Sequence, residues 1–271
     1  MFRLKPHLVY TTAIATLAVL IFGAFFLNLL PWTSSAPLDV GAAAGSETAV
    51  EPDISHPVPE PELPEDEIIL FEGNMNRLPA ERVFELLDFL ELPLTGARIQ
   101  MTNGQLPGAP RSYRNGTHQG VDFYNGFSGI NIEKGTSVLS AAEGKVIRID
   151  HTYVEMTALE RTEYRRISME AETTPEEILD KFRGRQVWLE HQGNVITRYA
   201  HLDTVNAELN VGDTVQKGHE IGTVGNSGTP PAITGGTGEM HLHFEVWVNG
   251  FYLGEGLPAE DVRFLLRGIF E

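Results

Sequence analysis

The chain has 271 residues, 42% of them apolar, enough for one or two domains with a sizeable core. Its 37 acidic and 20 basic residues give a net charge of -17, which argues against nucleic acid as a partner because phosphate binding needs a basic surface. There is no cysteine, so disulfide frameworks and thiolate metal sites are excluded, and any metal must be held by nitrogen and oxygen.

Residues 1–7 carry Arg3 and Lys5 ahead of a predominantly apolar run from Leu8 to Leu30. About 20 such residues span a bilayer core, whereas the apolar part of a cleaved signal peptide is about 7 to 15 long. The expectation is an uncleaved single-pass helix in the cytoplasmic membrane, with a cytoplasmic N-terminus. Small residues at Ser34–Ala36 and Ala42–Ala44 leave secretion after cleavage as the alternative. No Lys or Arg recurs until Arg77, so the body of the protein is expected outside the cytoplasm. Residues 31–66 are rich in Pro and acid and read as a solvated linker.

A helical pre-segment is expected over 67–96: Pro79 suits a first helical turn, and Val83, Leu86, Leu87 and Leu90 recur at i, i+3, i+4, i+7. It reads as a helix packed on the main domain, with a lid over a site as the alternative. From 97 to 257 the grammar becomes strands and glycine turns. Ser137–Ile149 reads as strand, turn, strand; Gln186–Glu190 and Asn194–Leu202 add two strands, and Val211–Gly222 a turn-rich hairpin. The fold class is therefore mostly β, an antiparallel sheet core with a few peripheral helices. Residues 151–185 form a polar insertion with a short helix, for which Thr174, Pro175 and Glu177 supply N-cap, first-turn proline and capping box. Pro258 opens a last helix over 258–271, with Val262, Leu265, Leu266 and Ile269 on one face.

The stretch Glu239–Val248 alternates strictly, Leu242, Phe244, Val246 and Val248 on one parity and His241, His243, Glu245 and Trp247 on the other, as in a half-buried strand. The two histidines then face the same way about 6.6 Å apart, suited to two neighbouring tasks, one holding a metal and the other handling a proton. Upstream, His118 and Asp122 stand four apart around Gly120, at a turn entering a strand, and offer ligand types that zinc takes. On Asn194–Leu202, alternation puts His201 on the same face as Thr197 and Tyr199. The histidines His7, His56, His151, His191 and His219 fit no motif and read as ordinary.

Taken together, His118-x-x-x-Asp122, Tyr199-Ala-His201-Leu and Met240-His-Leu-His-Phe-Glu245 resemble the lysostaphin or LytM-type zinc metallopeptidases. The resemblance extends to Gly135–Val146, Val211–Gly218 and Ile221–Gly228, and covers about residues 97–255. It implies a zinc metalloendopeptidase acting on stem or cross-bridge peptides of peptidoglycan. The implied ligands of one zinc ion are His118, Asp122 and His243, and the implied catalytic residues are His201 and His241. The chain has no His-Glu-x-x-His sequence to supply a glutamate base, which agrees with histidines as the proton-exchanging groups. Glu245, on the same strand parity, is a weaker candidate for proton exchange and reads rather as an orienting or structural residue.

Two stretches depart from the family pattern. The loop Ser227–Met240 is long, with Met240 where the family usually has proline, and the 151–185 insertion is large. Both are expected to shape or cover the substrate groove. Two other readings of the chain are a non-catalytic activator of wall hydrolases with the same fold and a lipoyl or biotin carrier. Complete site residues count against the first, and the flanks of Lys145 against the second.

Overall fold

The computed structural model describes residues 71–271; the expected anchor at 8–30, the linker at 31–66 and the start of the pre-segment lie outside the described residues. Among the described residues, no helix is long and apolar enough to cross a membrane. The strands are β1 (Val121–Tyr124), β2 (Ser137–Leu139), β3 (Gly144–Ile149), β4 (Val187–Glu190), β5 (Val195–Ala200), β6 (Leu202–Val205), β7 (Thr214–Val215), β8 (Glu220–Val224), β9 (His241–Val248) and β10 (Phe251–Tyr252). The helices are α1 (Ala80–Leu87), α2 (Ala158–Glu170), α3 (Glu176–Arg183), α4 (Pro230–Ile233) and α5 (Ala259–Phe270).

Every strand pairing is antiparallel. One sheet runs β1-β9-β5-β4-β3-β7, with β10 also on β9, and a second runs β2-β8-β6. Two segments that read as local hairpins are split between these sheets. β2 joins β8 while the adjacent β3 joins β4 and β7, and β7 joins β3 while β8 joins β2 and β6. Sequence neighbours here share a turn but not a ladder, and the turn residues carry no record of which sheet receives each arm.

The apolar parity of β9 builds the core. Leu242, Phe244, Val246 and Val248 are buried with Val121 and Phe123 of β1 and Val195 and Tyr199 of β5, and full burial of side chains this size is worth on the order of 1.5–3 kcal/mol each. The Tyr199 hydroxyl accepts a hydrogen bond from the Ala141 amide at 2.9 Å, which satisfies a phenol deep in apolar surroundings. Helices α1 and α5 close this side: Val83, Leu86 and Leu87 join Val262, Leu265, Leu266 and Ile269 in the same core.

The other parity of β9 is also buried, contrary to the half-exposed strand that alternation predicts: His241, His243 and Glu245 are all 5% exposed or less. The 151–185 insertion lies over this face and holds two helices instead of one. Helix α2 begins at a capping box in which Thr157 and Glu160 exchange hydrogen bonds. Helix α3 has no side-chain cap, because the Thr174 hydroxyl donates instead to the Asn115 carbonyl at 2.9 Å and ties the insertion to the segment before β1.

Candidate metal centre

The site is built on the register of β1 against β9, which places Asp122 directly opposite His243. Side chains opposite each other in an antiparallel pair share a face, so the carboxylate and the imidazole meet without any distortion of the strands. His118 enters from the approach to β1, its amide donating to the Ala109 carbonyl at 2.8 Å. Gly120 makes that approach possible, because a Cβ there would lie 2.4 Å from the Phe244 carbonyl oxygen. Only glycine lets the His118–Asp122 segment lie this close to β9.

Three atoms converge. His118 Nε2 lies 2.9 Å from Asp122 Oδ1 and 2.9 Å from His243 Nδ1, and His243 Nδ1 lies 2.8 Å from Asp122 Oδ1. Their outer partners fix what each atom presents. His118 Nδ1 donates to the Leu106 carbonyl at 3.0 Å, leaving a lone pair on Nε2. His243 Nε2 faces the Glu245 carboxylate at 2.8 Å, leaving a lone pair on Nδ1. Asp122 is anchored through its other oxygen, Oδ2, by Arg111 at 3.0 Å. Three acceptors thus point at one another inside the protein, an arrangement that only a cation relieves.

Proton affinities carry the same message. Burial brings His118 down to about 4, so its imidazole is neutral near pH 7. Burial alone would raise Asp122, but the charges of the neighbouring His118 and His241 hold its carboxyl well below the usual range. Burial would likewise lower His243, yet its hydrogen bonds to Asp122 and Glu245 raise it. A metal ion held by these three atoms would displace such a proton on binding. Two imidazole nitrogens and one carboxylate oxygen match zinc and its first-row neighbours better than the all-oxygen preference of calcium or magnesium.

His201 and His241 flank this centre, their rings 4.5 Å apart between centroids. His241 stacks on Tyr124 at 4.2 Å and donates from Nδ1 to the Glu239 carbonyl at 2.7 Å. His201 donates from Nδ1 to the Ser227 carbonyl at 2.7 Å. Each therefore presents a bare Nε2, and burial lowers both below the ordinary histidine value, His201 further, with His241 and His243 adding to it. His201 does not share the face of Tyr199, as alternation along β5 predicts. Its backbone is left-handed, with φ of 59°, which ends β5 and turns the imidazole across to the polar face while Tyr199 stays in the core. The Arg183 carbonyl accepts the His201 amide at 2.9 Å and holds that conformation.

Two supporting residues escape a reading of the sequence, Arg111 and Arg183. Arg183, at the end of α3, is 3% exposed and donates to Glu245 at 2.8 Å and to Glu176 at 2.7 Å. The chain Arg183–Glu245–His243 thus links the insertion to the metal centre. Although burial alone would raise Glu245, Arg183, His243 and Arg198 hold its carboxyl well below the usual range. Gly184, with φ of 70°, lets the next residues thread under the Ser227 loop, where a Cβ would lie 2.3 Å from the Ser227 carbonyl oxygen. The sequence offers one weak signal for this linkage, a basic residue beside a glycine at the end of an insertion that abuts a site strand. Glu245→Gln, which keeps the shape and removes the charge, is expected to weaken zinc binding roughly 10- to 100-fold in a chelator-competition titration. Glu245→Ala is expected to cost about 3–5 kcal/mol of stability in addition, because it strands the buried Arg183.

All five histidine and aspartate positions singled out in the sequence line one groove of about 700 Å³. The insertion contributes Arg161, Arg165 and Phe182 to it, and the long loop before β9 contributes Gly228, Thr229 and Glu239.

A curated relative, the peptidoglycan DD-endopeptidase ShyC of Vibrio cholerae serotype O1, is 36% identical over 73 residues, 27% of this chain and 15% of the relative. The match thus spans well under two thirds of that protein. Among solved structures, a zinc containing peptidase from Vibrio cholerae is 22% identical, with 62% of this chain and 39% of that one covered and a TM-score of 0.35. The catalytic domain of the antimicrobial peptidase lysostaphin from Staphylococcus simulans is also 22% identical, with 57% and 89% covered and a TM-score of 0.31. The family model of peptidase family M23 matches residues 116–254, just over half of the sequence and a span that contains His118, Asp122, His201, His241 and His243; the chain belongs to that family.

Proposed function

We propose that this protein is a zinc-dependent endopeptidase that hydrolyses peptide bonds in the stem or cross-bridge peptides of peptidoglycan, held on the outer side of the cytoplasmic membrane by residues 8–30. The observation that carries the reading is the convergence of three lone pairs, from His118 Nε2, Asp122 Oδ1 and His243 Nδ1, beside two imidazoles whose own Nε2 atoms are free of hydrogen-bond partners among the described residues. Family membership and the activity named for the Vibrio relative support the choice of substrate.

His118, Asp122 and His243 are the residues that would hold the metal. A zinc ion bound there supplies a Lewis acid that makes water more acidic and polarises a carbonyl. The chain's own residues do the rest. Arg111 and Glu245 fix the orientation of Asp122 and His243. His201 and His241, with their Nδ1 protons committed to backbone carbonyls, exchange protons at Nε2: between them they take one from water and return one to the leaving amine nitrogen. The stack on Tyr124 keeps the His241 ring in the plane from which Nε2 faces the groove.

The test is digestion of defined muropeptides by the purified protein with zinc and with chelator, read by mass spectrometry. The expected result is a single type of peptide bond cut, lost with chelator and restored by added zinc. Glycan cleavage, or peptide cleavage indifferent to chelator, would contradict the reading.

A further inference from the structure

The groove inverts the charge of the chain. Acids outnumber bases 37 to 20 overall, yet the groove is lined by five arginines, Arg111, Arg114, Arg161, Arg165 and Arg183, and by only three acids, Asp122, Glu239 and Glu245. Two of the arginines serve the metal centre, Arg111 on Asp122 and Arg183 on Glu245. The other three gather around one residue, Tyr113. The guanidinium carbons of Arg114 and Arg161 each lie 5.9 Å from its ring centroid, and Arg165 donates from Nε to its backbone carbonyl at 3.3 Å.

None of these three has a carboxylate within 4.0 Å among the described residues. Arg161 and Arg165 stand one turn apart on α2, where like charges at i, i+4 repel and destabilise the helix. Arg161 uses one N–H on the Gly228 carbonyl at 3.2 Å, and the remaining donors of its fork have no hydrogen-bond partner among the described residues. Arg114 is 5% exposed, and its Nε is buried without any hydrogen-bond partner. Arg114 spends Nη1 on the Thr174 hydroxyl at 3.3 Å and Nη2 on the Thr117 carbonyl at 2.8 Å, but no carboxylate among the described residues offsets the positive charge of the three guanidinium groups, and an anion bound between them would. The planar fork of arginine suits a carboxylate.

We propose that Arg161 and Arg165, backed by Arg114, bind a free carboxylate on the peptide substrate, so that the insertion selects acidic peptides over their amidated counterparts. The inference rests on the peptidase reading above and adds to it the charge state of the substrate. The two arginines read a part of the substrate away from the scissile bond, and they are specificity residues, not catalytic ones.

The experiment compares two synthetic muropeptides that differ only in one group, a free side-chain or α-carboxylate against its carboxamide, cleaved by the wild-type protein and by Arg161→Gln/Arg165→Gln. The expected result is that wild type prefers the free acid by roughly 10- to 100-fold in kcat/KM, and that the variant loses this factor on the acid while matching wild type on the amide. Equal wild-type rates on acid and amide at every carboxylate tried, or a variant that falls equally on both, would overturn the proposal. Thermal melting checks that the variant is folded. Arg165→Gln alone, at an exposed position, gives the same comparison should the double variant unfold. Failure of the peptidase reading looks different: wild type with zinc would then cleave neither substrate, and the proposal would fall with it.

Discussion

Replacing His118 by alanine is expected to abolish zinc retention and peptide hydrolysis together. The reason is the division of the centre into three contributions with no spare ligand. His118 Nε2 closes the triangle with Asp122 Oδ1 and His243 Nδ1, and the further imidazole of His241, with its Nε2 3.7 Å from Asp122 Oδ1, lies on the side proposed to exchange protons. Loss of the metal removes a contribution of several kcal/mol to the transition state, so activity is expected to fall by at least roughly 1,000-fold, with zinc content near zero by elemental analysis. The variant should remain folded, because the lost hydrogen bond to the Leu106 carbonyl is a single interaction worth about 1 kcal/mol. A folded His118→Ala protein that keeps one zinc per chain would show that the ligand set is wrong.

Replacing His201 has the opposite signature, with zinc retained and turnover lost. Its imidazole is held by the Ser227 carbonyl at Nδ1 and its amide by the Arg183 carbonyl. Removing general acid or base assistance costs roughly 100- to 10,000-fold, and the loss should fall on kcat while zinc content stays at the wild-type level. The left-handed backbone at this position makes the choice of substitution matter: alanine at φ of 59° adds strain of about 1–2 kcal/mol, whereas asparagine tolerates the conformation. His201→Asn is therefore the cleaner variant, and kcat should fall as far as in His201→Ala with less loss of stability. A protein that acts only by stimulating another hydrolase would be indifferent to both His118 and His201 substitutions, which separates the two classes of function.

Much of the scaffold was legible because its signals are local. The alternation of Glu239–Val248 shows up as the central strand β9, and the i, i+3, i+4, i+7 patterns after Pro79 and Pro258 show up as α1 and α5 with the apolar residues in the core. The pairing of Asp122 with His243 was not legible as such, since register is a property of two distant strands, and only the family resemblance implied that they meet at one ion. What the sequence hid lies where local rules are overridden. His201 crosses to the other face through one left-handed residue. Helix α2 shows no apolar periodicity, Ser168 being its one buried residue, and only the Thr157-x-x-Glu160 capping box announces it. Thr174 has the right spacing for a cap and spends its hydroxyl elsewhere. Arg183 looks like an ordinary helix-terminal base until α3 is laid over β9, and then it becomes the partner that holds Glu245 behind His243.

Anomalous scattering at the zinc absorption edge, from crystals of the protein grown with stoichiometric zinc, identifies the ligands of the metal. One anomalous peak per chain is expected, within about 2.0–2.2 Å of His118 Nε2, Asp122 Oδ1 and His243 Nδ1, with His201 and His241 outside coordination distance. A peak ligated by His201 or His241 in place of one of those three, or no peak between them with zinc present, would contradict it.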